Sequence, residues 1–220
     1  AVFNSSTTLQ RSLRVVTTLR LVLGLTALLG AIIFLEGTSW DIQWHSYIGR
    51  DRTLIPPHIM MLSGVALSGI SGLLTVLIES WWARHNKTIA QYSLGFAEIF
   101  SGPLGAYIVG FAALTAAVAF PLDAYWHALY GIDVAIWAPF HIMFAALGAA
   151  YMLISAAHLT AKFGTTNTGS RRSATLGVAL AIATVLSLFT LLLFDAFKEK
   201  NFINLGFISI NVFPLLSAIL

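Results

Sequence analysis

Two segments of the chain carry aspartate and histidine at matching spacing, and these residue types can bind a transition metal. Each segment has an aspartate, a histidine four residues later, and a second histidine 13 or 14 residues beyond that. The residues are Asp41, His45 and His58 in the first segment, and Asp123, His127 and His141 in the second. An aspartate and a histidine four residues apart lie on one face of a helix. Three such ligands leave a coordination position open on copper, zinc, iron or nickel.

The residues that flank these ligands repeat as well, with tryptophan before the first histidine and glycine, aspartate and proline following in the same order. A helix–motif–helix unit that occurs twice in one orientation predicts a parallel internal repeat, over about residues 20–79 and 102–160. Packing alone explains the tryptophan, glycine and proline. It does not require aspartate and histidine, although a hydrogen-bonded cluster without metal is the alternative. The side chains predicted to support the ligands are Trp44, Arg50, Asp51, Trp126 and Asp133.

The composition indicates an integral membrane protein. Hydrophobic residues make up 58% of the 220 residues and charged residues 10%, whereas soluble domains have about 45–50% and about 25%. The net charge of +3 is small and the basic residues stand at the ends of apolar runs, so we expect a lipid bilayer and not a nucleic acid as partner. The absence of cysteine excludes disulfides, iron–sulfur clusters and thiolate metal sites.

The apolar runs predict an all-α fold of about six transmembrane helices in a single transmembrane domain, residues 1–220. The runs are too long and unbroken for the strands of a membrane barrel. We expect residues 1–20 to form an interfacial helix, residues 80–92 and 161–173 to be polar loops, and the glycines and serines of the second span to allow close helix packing. The Pro56-Pro57 pair predicts the start of the second span. The spans cover about residues 20–36, 58–79, 102–122, 139–160, 174–195 and 202–220.

Lysine and arginine in short loops predict the orientation. They occur in the N-terminal segment and in both polar loops, so we place that side in the cytoplasm of a prokaryotic cell. Both aspartate–histidine segments then lie toward the non-cytoplasmic side of the membrane.

The first segment resembles the metal-binding segment of the C subunit of the copper membrane monooxygenases, the family of particulate methane and ammonia monooxygenases. The family pattern is an aspartate, then Trp-His, an Arg-Asp pair and Pro-x-His, and its aspartate and two histidines form a copper site. The resemblance therefore implies copper at Asp41, His45 and His58. The matching residues here are Asp41, Trp44-His45, Arg50-Asp51 and Pro56-x-His58.

The second segment is similar to a second site of that family, which is built as Asn-x3-His-x13-His. This chain has Asp123-x3-His127-x13-His141, so an aspartate stands where the family has asparagine. The resemblance implies a subunit of a copper-dependent monooxygenase complex that oxidises ammonia, methane or a short hydrocarbon together with other membrane subunits. The alternatives are a membrane copper or zinc carrier or accessory protein without turnover, and a haem b protein with His58 and His141 as axial ligands.

Overall fold

The computed structural model describes residues 2–49, 52–130, 152–156, 158, 168–197, 202–204 and 209–211. Four helices in this part of the chain are long and apolar enough to span a membrane. This confirms a predominantly helical, integral membrane protein. The four spans are Gln10–Tyr47, Pro56–His85, Leu104–Leu122 and Gly169–Leu191.

The first helix, α1 (Val2–Tyr47), is much longer than the predicted span and includes the segment predicted to be a separate interfacial helix. Its sequence contains no proline. Two buried threonines in this helix donate hydroxyl hydrogen bonds to carbonyl oxygens one turn earlier. The oxygen–oxygen distance is 2.7 Å from Thr17 to Leu13 and 2.9 Å from Thr38 to Phe34. The helix ends before Gly49, whose φ of +65° is typical of the residue that follows a helix. The first metal motif therefore begins inside α1, which continues 11 residues beyond the predicted end of the span at about residue 36.

Helix α2 (Pro56–His85) begins where the sequence predicts, at a Pro-Pro pair. Proline suits the first turn because the N–H groups there have no helical partner. The helix continues six residues beyond the predicted end, and the short α3 (Lys87–Gln91) follows it. Asn86 separates the two helices, and its side-chain oxygen accepts a 3.0 Å hydrogen bond from the Thr88 N–H. The predicted polar loop over residues 80–92 is therefore mostly helical.

An antiparallel hairpin connects α3 to the next span, and the sequence analysis did not predict it. Strand β1 (Leu94–Phe96) pairs with β2 (Phe100–Gly102), with Leu94 opposite Gly102. The turn places Ala97 and Glu98 at φ values of 50° and 59°, the conformation that lets a tight turn match strand twist. The strand pair satisfies backbone groups locally, without a helix.

Helix α4 (Leu104–Tyr130) begins two residues after the predicted start of the third span and continues through Pro121 beyond its expected end. Helix α5 (Thr168–Phe197) contains the predicted fifth span. The predicted fourth span, about residues 139–160, lies largely outside the described residues. Residues 152–156, which the structure describes within this span, are helical. The count of six spans and the internal repeat therefore remain predictions.

The prediction of a sixth helix is wrong for residues 202–204 and 209–211, which are the residues that the structure describes in that segment. Strand β3 (Phe202–Asn204) pairs antiparallel with β4 (Ser209–Asn211), with Ile203 opposite Ile210. Hydropathy alone favoured a span here, but phenylalanine and isoleucine also have high strand propensity, and asparagine disfavours the interior of an apolar helix.

Close packing of α1 against α2 brings the two ends of the first motif together. A Cβ added to Gly64 would lie 2.5 Å from the Gly30 carbonyl oxygen, so these backbones are in contact. Beside them, Ser68 donates a 2.9 Å hydrogen bond to the Ala27 carbonyl. On another side of α2, a Cβ on Gly72 would approach the Ala106 carbonyl of α4 at 3.0 Å. The small residues of α2 therefore make the close helix contacts that the sequence predicts.

Candidate metal centre

Three potential ligands meet where the C-terminal turns of α1 face the first turn of α2. Asp41 and His45 lie one turn apart on α1, and His58 projects from the start of α2. His58 is buried, and the other two side chains are partly buried. In the described part of the chain, these three residues form the one group of histidine and acidic side chains with metal-ligand spacing. The structure thus assembles all three ligands predicted for the first site.

The distances within this cluster suit a single metal ion. Asp41 Oδ1 lies 3.1 Å from His58 Nε2 and 3.5 Å from His45 Nε2, and the ligand atoms all lie within 4.8 Å of one another. A tetrahedral ion with bonds of about 2.0–2.1 Å separates neighbouring ligand atoms by about 3.3–3.4 Å. The two measured separations bracket that value. The donor set and these two separations are therefore compatible with one shared ion.

The orientation of His58 follows from a hydrogen bond on the far side of its ring. His58 Nδ1 lies 3.2 Å from the Thr53 carbonyl oxygen in the connection before α2. A carbonyl can only accept, so Nδ1 carries the proton, and the Nε2 of a neutral ring presents its lone pair to Asp41. This arrangement is the usual support for a metal-bound histidine. A doubly protonated His58 paired with Asp41 is the alternative without metal.

One aromatic side chain from α4 contacts the cluster. The ring of Phe120, from α4, meets the His58 ring edge to face with centroids 5.8 Å apart. Trp44, predicted to support the ligands, packs edge-on against Trp40 with centroids 6.3 Å apart. The Phe120 contact places apolar surface beside His58, which lowers the local dielectric and strengthens binding of a cation to the carboxylate. The predicted supporting residues Arg50 and Asp51 lie outside the described residues.

The second predicted site is described only in its backbone, and only in part. Asp123 and His127 lie in the last two turns of α4, the position that Asp41 and His45 occupy in α1. Phe120, which contacts the His58 ring, precedes Asp123 by one turn, so α4 passes beside the first cluster. The side chains of Asp123, Trp126 and His127, together with all of Asp133 and His141, lie outside the described residues.

A second polar cluster lies inside the membrane-spanning helices, and the sequence analysis missed it. Arg20 is 3% exposed and Glu79 is fully buried. Arg20 Nε donates to Glu79 Oε2 at 3.0 Å, and Nη2 also donates to Oε1. In the sequence, Arg20 belongs to the basic N-terminal segment that predicts the orientation, and residue 79 is the expected end of the second span. The sequence signal for this cluster is one charged residue within each of two apolar helices. A charged side chain in a membrane is energetically costly unless it is paired, so two such residues are expected to meet.

Comparisons of this chain with protein-family models, with curated proteins and with solved structures found no match. The membrane class rests on the four apolar helices. The likeness to copper monooxygenases rests on the motif residues alone, so copper and oxidation chemistry are proposals.

Proposed function

We propose that this chain is a copper-binding membrane subunit of a monooxygenase complex that oxidises a small substrate such as ammonia, methane or a short hydrocarbon. The observation that carries the proposal is the convergence of one carboxylate oxygen and two imidazole nitrogens from α1 and α2. These atoms belong to the residues that carry the resemblance to the copper site. Nitrogen and oxygen ligands without thiolate suit copper, and copper binds such sets more tightly than neighbouring divalent metals do.

Each residue of the cluster has a distinct role in this proposal. Asp41 supplies the negative charge that offsets part of the charge of the ion. His45 lies one turn further along α1, so the same helix fixes both ligands. His58 is oriented through the Thr53 carbonyl. When bound, copper supplies one-electron redox chemistry and a position for dioxygen, while the protein controls orientation and water access. We expect electrons to come from a quinol or another donor, and the remaining machinery from partner subunits.

A carrier that binds zinc or copper without catalysing a reaction uses the same three ligands. The geometry of the site therefore does not distinguish such a carrier from an enzyme subunit.

A bis-histidine haem is less compatible with the site. The Nε2 atom of His58 faces Asp41 at 3.1 Å, whereas an axial ligand must direct a ring nitrogen at the haem iron. A carboxylate in that place also has no role in bis-histidine ligation.

The decisive experiment uses the protein purified in detergent with its native partners. We expect stoichiometric copper by elemental analysis, a Cu(II) electron paramagnetic resonance signal with nitrogen hyperfine structure, and substrate-dependent oxygen uptake. His58→Ala should lose copper, whereas His85→Ala, which changes an exposed histidine at the end of α2, should retain it.

Different outcomes overturn different parts of the proposal. Equal copper in the two variants shows that the cluster is not the metal site. Copper or zinc at the cluster without oxygen uptake favours a carrier or accessory protein. An intense haem band in the visible spectrum that disappears in His58→Ala supports the haem alternative.

A further inference from the structure

A deep apolar groove runs between α2 and α4 on the face of the helix pair where the hairpin β1–β2 lies. Its volume is about 570 Å³, within the range of about 300–1,000 Å³ typical of ligand sites. Along α2 it extends from Leu62 to Val76, about 21 Å at a rise of about 1.5 Å per residue. The hairpin closes one end with Phe96 and Phe100. The lining is hydrocarbon and aromatic surface almost throughout.

Small residues give the groove its depth. A Cβ added to Gly110 of α4 would meet nothing within 4 Å, so this glycine leaves open space where most residues would fill it. Gly72 on the facing helix allows close backbone contact beneath the groove, because its added Cβ would lie 3.0 Å from the Ala106 carbonyl. The two helices thus touch at their backbones while the groove above them stays open.

The groove lies within two of the membrane spans, so hydrocarbon and not water surrounds it. An empty groove would forfeit dispersion contacts that a lipid chain can make. One leaflet of a bilayer has a hydrocarbon thickness of about 15 Å, and the groove is long enough to hold an acyl chain over that whole distance.

A positively charged side chain, Arg84, lies beyond the end of the groove that the hairpin closes. Arg84, on the last turns of α2, donates from Nη2 to the Ile99 carbonyl of the hairpin at 3.0 Å. Arg84 is exposed, and a guanidinium has five N–H donors. The donors that do not bind the Ile99 carbonyl can therefore reach a phosphate. Trp81, one turn earlier, is also exposed, as tryptophans at the membrane interface commonly are. Glu98 at the hairpin turn is exposed as well, so this surface carries both charges.

We infer that the groove binds one acyl chain of a zwitterionic phospholipid, with the phosphate on Arg84 and the ammonium group near Glu98. The proposal joins three separate observations: an apolar groove of acyl-chain length, open space at Gly110, and two exposed side chains of opposite charge, Arg84 and Glu98, beyond the groove. It does not depend on the metal centre, which lies at the other end of α2.

The test measures retained phospholipid by native mass spectrometry after extended detergent washing and titration with phosphatidylethanolamine. Wild type should hold one phospholipid. Gly110→Leu fills the groove with side-chain atoms and should lower the affinity at least about tenfold, with Gly110→Ala intermediate. Arg84→Gln should lower the affinity about tenfold, as expected for the loss of a charge-assisted hydrogen bond.

Matched controls change similar residues away from the groove. Ala183→Leu adds the same side chain to an exposed position of α5, and Arg171→Gln removes an exposed arginine from the start of α5. Both should retain the lipid. Circular dichroism and the thermal unfolding midpoint check that each variant is folded. Wild-type lipid binding in folded Gly110→Leu overturns the proposal, as does lipid loss of equal size in Ala183→Leu. Tighter binding of phosphatidylglycerol than of phosphatidylethanolamine overturns the assignment of a zwitterionic head group.

Discussion

The helix pair α1–α2 contains two clusters of polar residues, and they differ in the balance of hydrogen-bond donors and acceptors. One cluster centres on Arg20 and Glu79, the other on Asp41, His45 and His58. Both join α1 to α2 by contacts between side chains that are distant in sequence. Burial and polarity alone therefore do not distinguish a structural cluster from a ligand site.

The arginine cluster is complete within the protein. Besides its two bonds to Glu79, Arg20 donates to the Ser155 hydroxyl at 2.7 Å and to the Tyr92 carbonyl at 2.8 Å. Ser93 donates to the same carboxylate from the other side. One positive and one negative charge cancel, and donors meet acceptors. The arrangement therefore fastens α1, α2 and the segments around residues 92 and 155 together.

The histidine cluster, in contrast, consists of two imidazole rings and one carboxylate, without a permanent cation. With His58 Nδ1–H donating to a carbonyl, the Nε2 atom lies 3.1 Å from Asp41 Oδ1, either as the N–H of a charged ring or as the lone pair of a neutral one. Only a proton or a cation between them makes that approach favourable. The difference teaches that a contact which needs a shared proton or cation, and not burial, marks the candidate metal site.

The largest effect on stability should come from breaking the arginine cluster. Arg20→Met leaves Glu79 buried without its counter-charge, which costs about 3–5 kcal/mol in comparable cases. Thermal unfolding in detergent should show a large fall in midpoint. The double variant Arg20→Met/Glu79→Leu should recover most of the loss, because it removes both charges. A double variant as unstable as the single one contradicts the interpretation as a closed ion pair.

The largest effect on metal binding should come from His58→Ala. Removing a ligand should lower copper affinity by more than the roughly 10–100-fold typical of supporting residues, while the unfolding midpoint of the metal-free protein changes less than in Arg20→Met. Competition with a copper chelator measures the affinity. Arg20→Met, assayed while folded, serves as the reciprocal control. If that variant loses copper as severely as His58→Ala, the two clusters are not independent.

An intermediate effect on both clusters is expected for Gly64→Ala. Its Cβ would lie 2.5 Å from the Gly30 carbonyl oxygen, so α1 and α2 must move apart. Overpacking of this kind costs about 1–3 kcal/mol, and displaced ligands should lower copper affinity about tenfold. Unfolding and chelator competition on one sample report both changes. Gly95→Ala, where an added Cβ meets nothing within 4 Å, is the control and should leave copper affinity unchanged.

The smallest effect should come from Phe120→Leu. The substitution keeps an apolar side chain but removes the edge-to-face contact with His58, a type of contact that contributes about 0.5–1.5 kcal/mol. We expect copper affinity to fall severalfold, with a small change in the electron paramagnetic resonance parameters. Phe111→Leu, on the same helix but in the groove, should leave both unchanged. An unaltered spectrum in Phe120→Leu would show that α4 does not help to orient His58.

The sequence by itself determined the membrane class, the start of α2 and the three residues of the cluster. Hydropathy over about 20 residues is a local property set by bilayer thickness, and Pro56-Pro57 marks a helix start because proline lacks the N–H that later turns require. Asp41 and His45 lie one turn apart in any helix, so their common face followed from spacing alone.

Only the tertiary structure decided how far the helices extend and which polar residues meet. Helix α1 continues to Tyr47 because packing against α2 supports its polar turns, and local hydropathy does not contain that information. The same hydropathy did not distinguish a helix from the strands at Phe202–Asn204 and Ser209–Asn211. The pairing of Arg20 with Glu79 joins residues 59 positions apart. Contacts at that separation depend on the crossing of α1 and α2 at Gly30 and Gly64, which is a property of two surfaces and not of either segment.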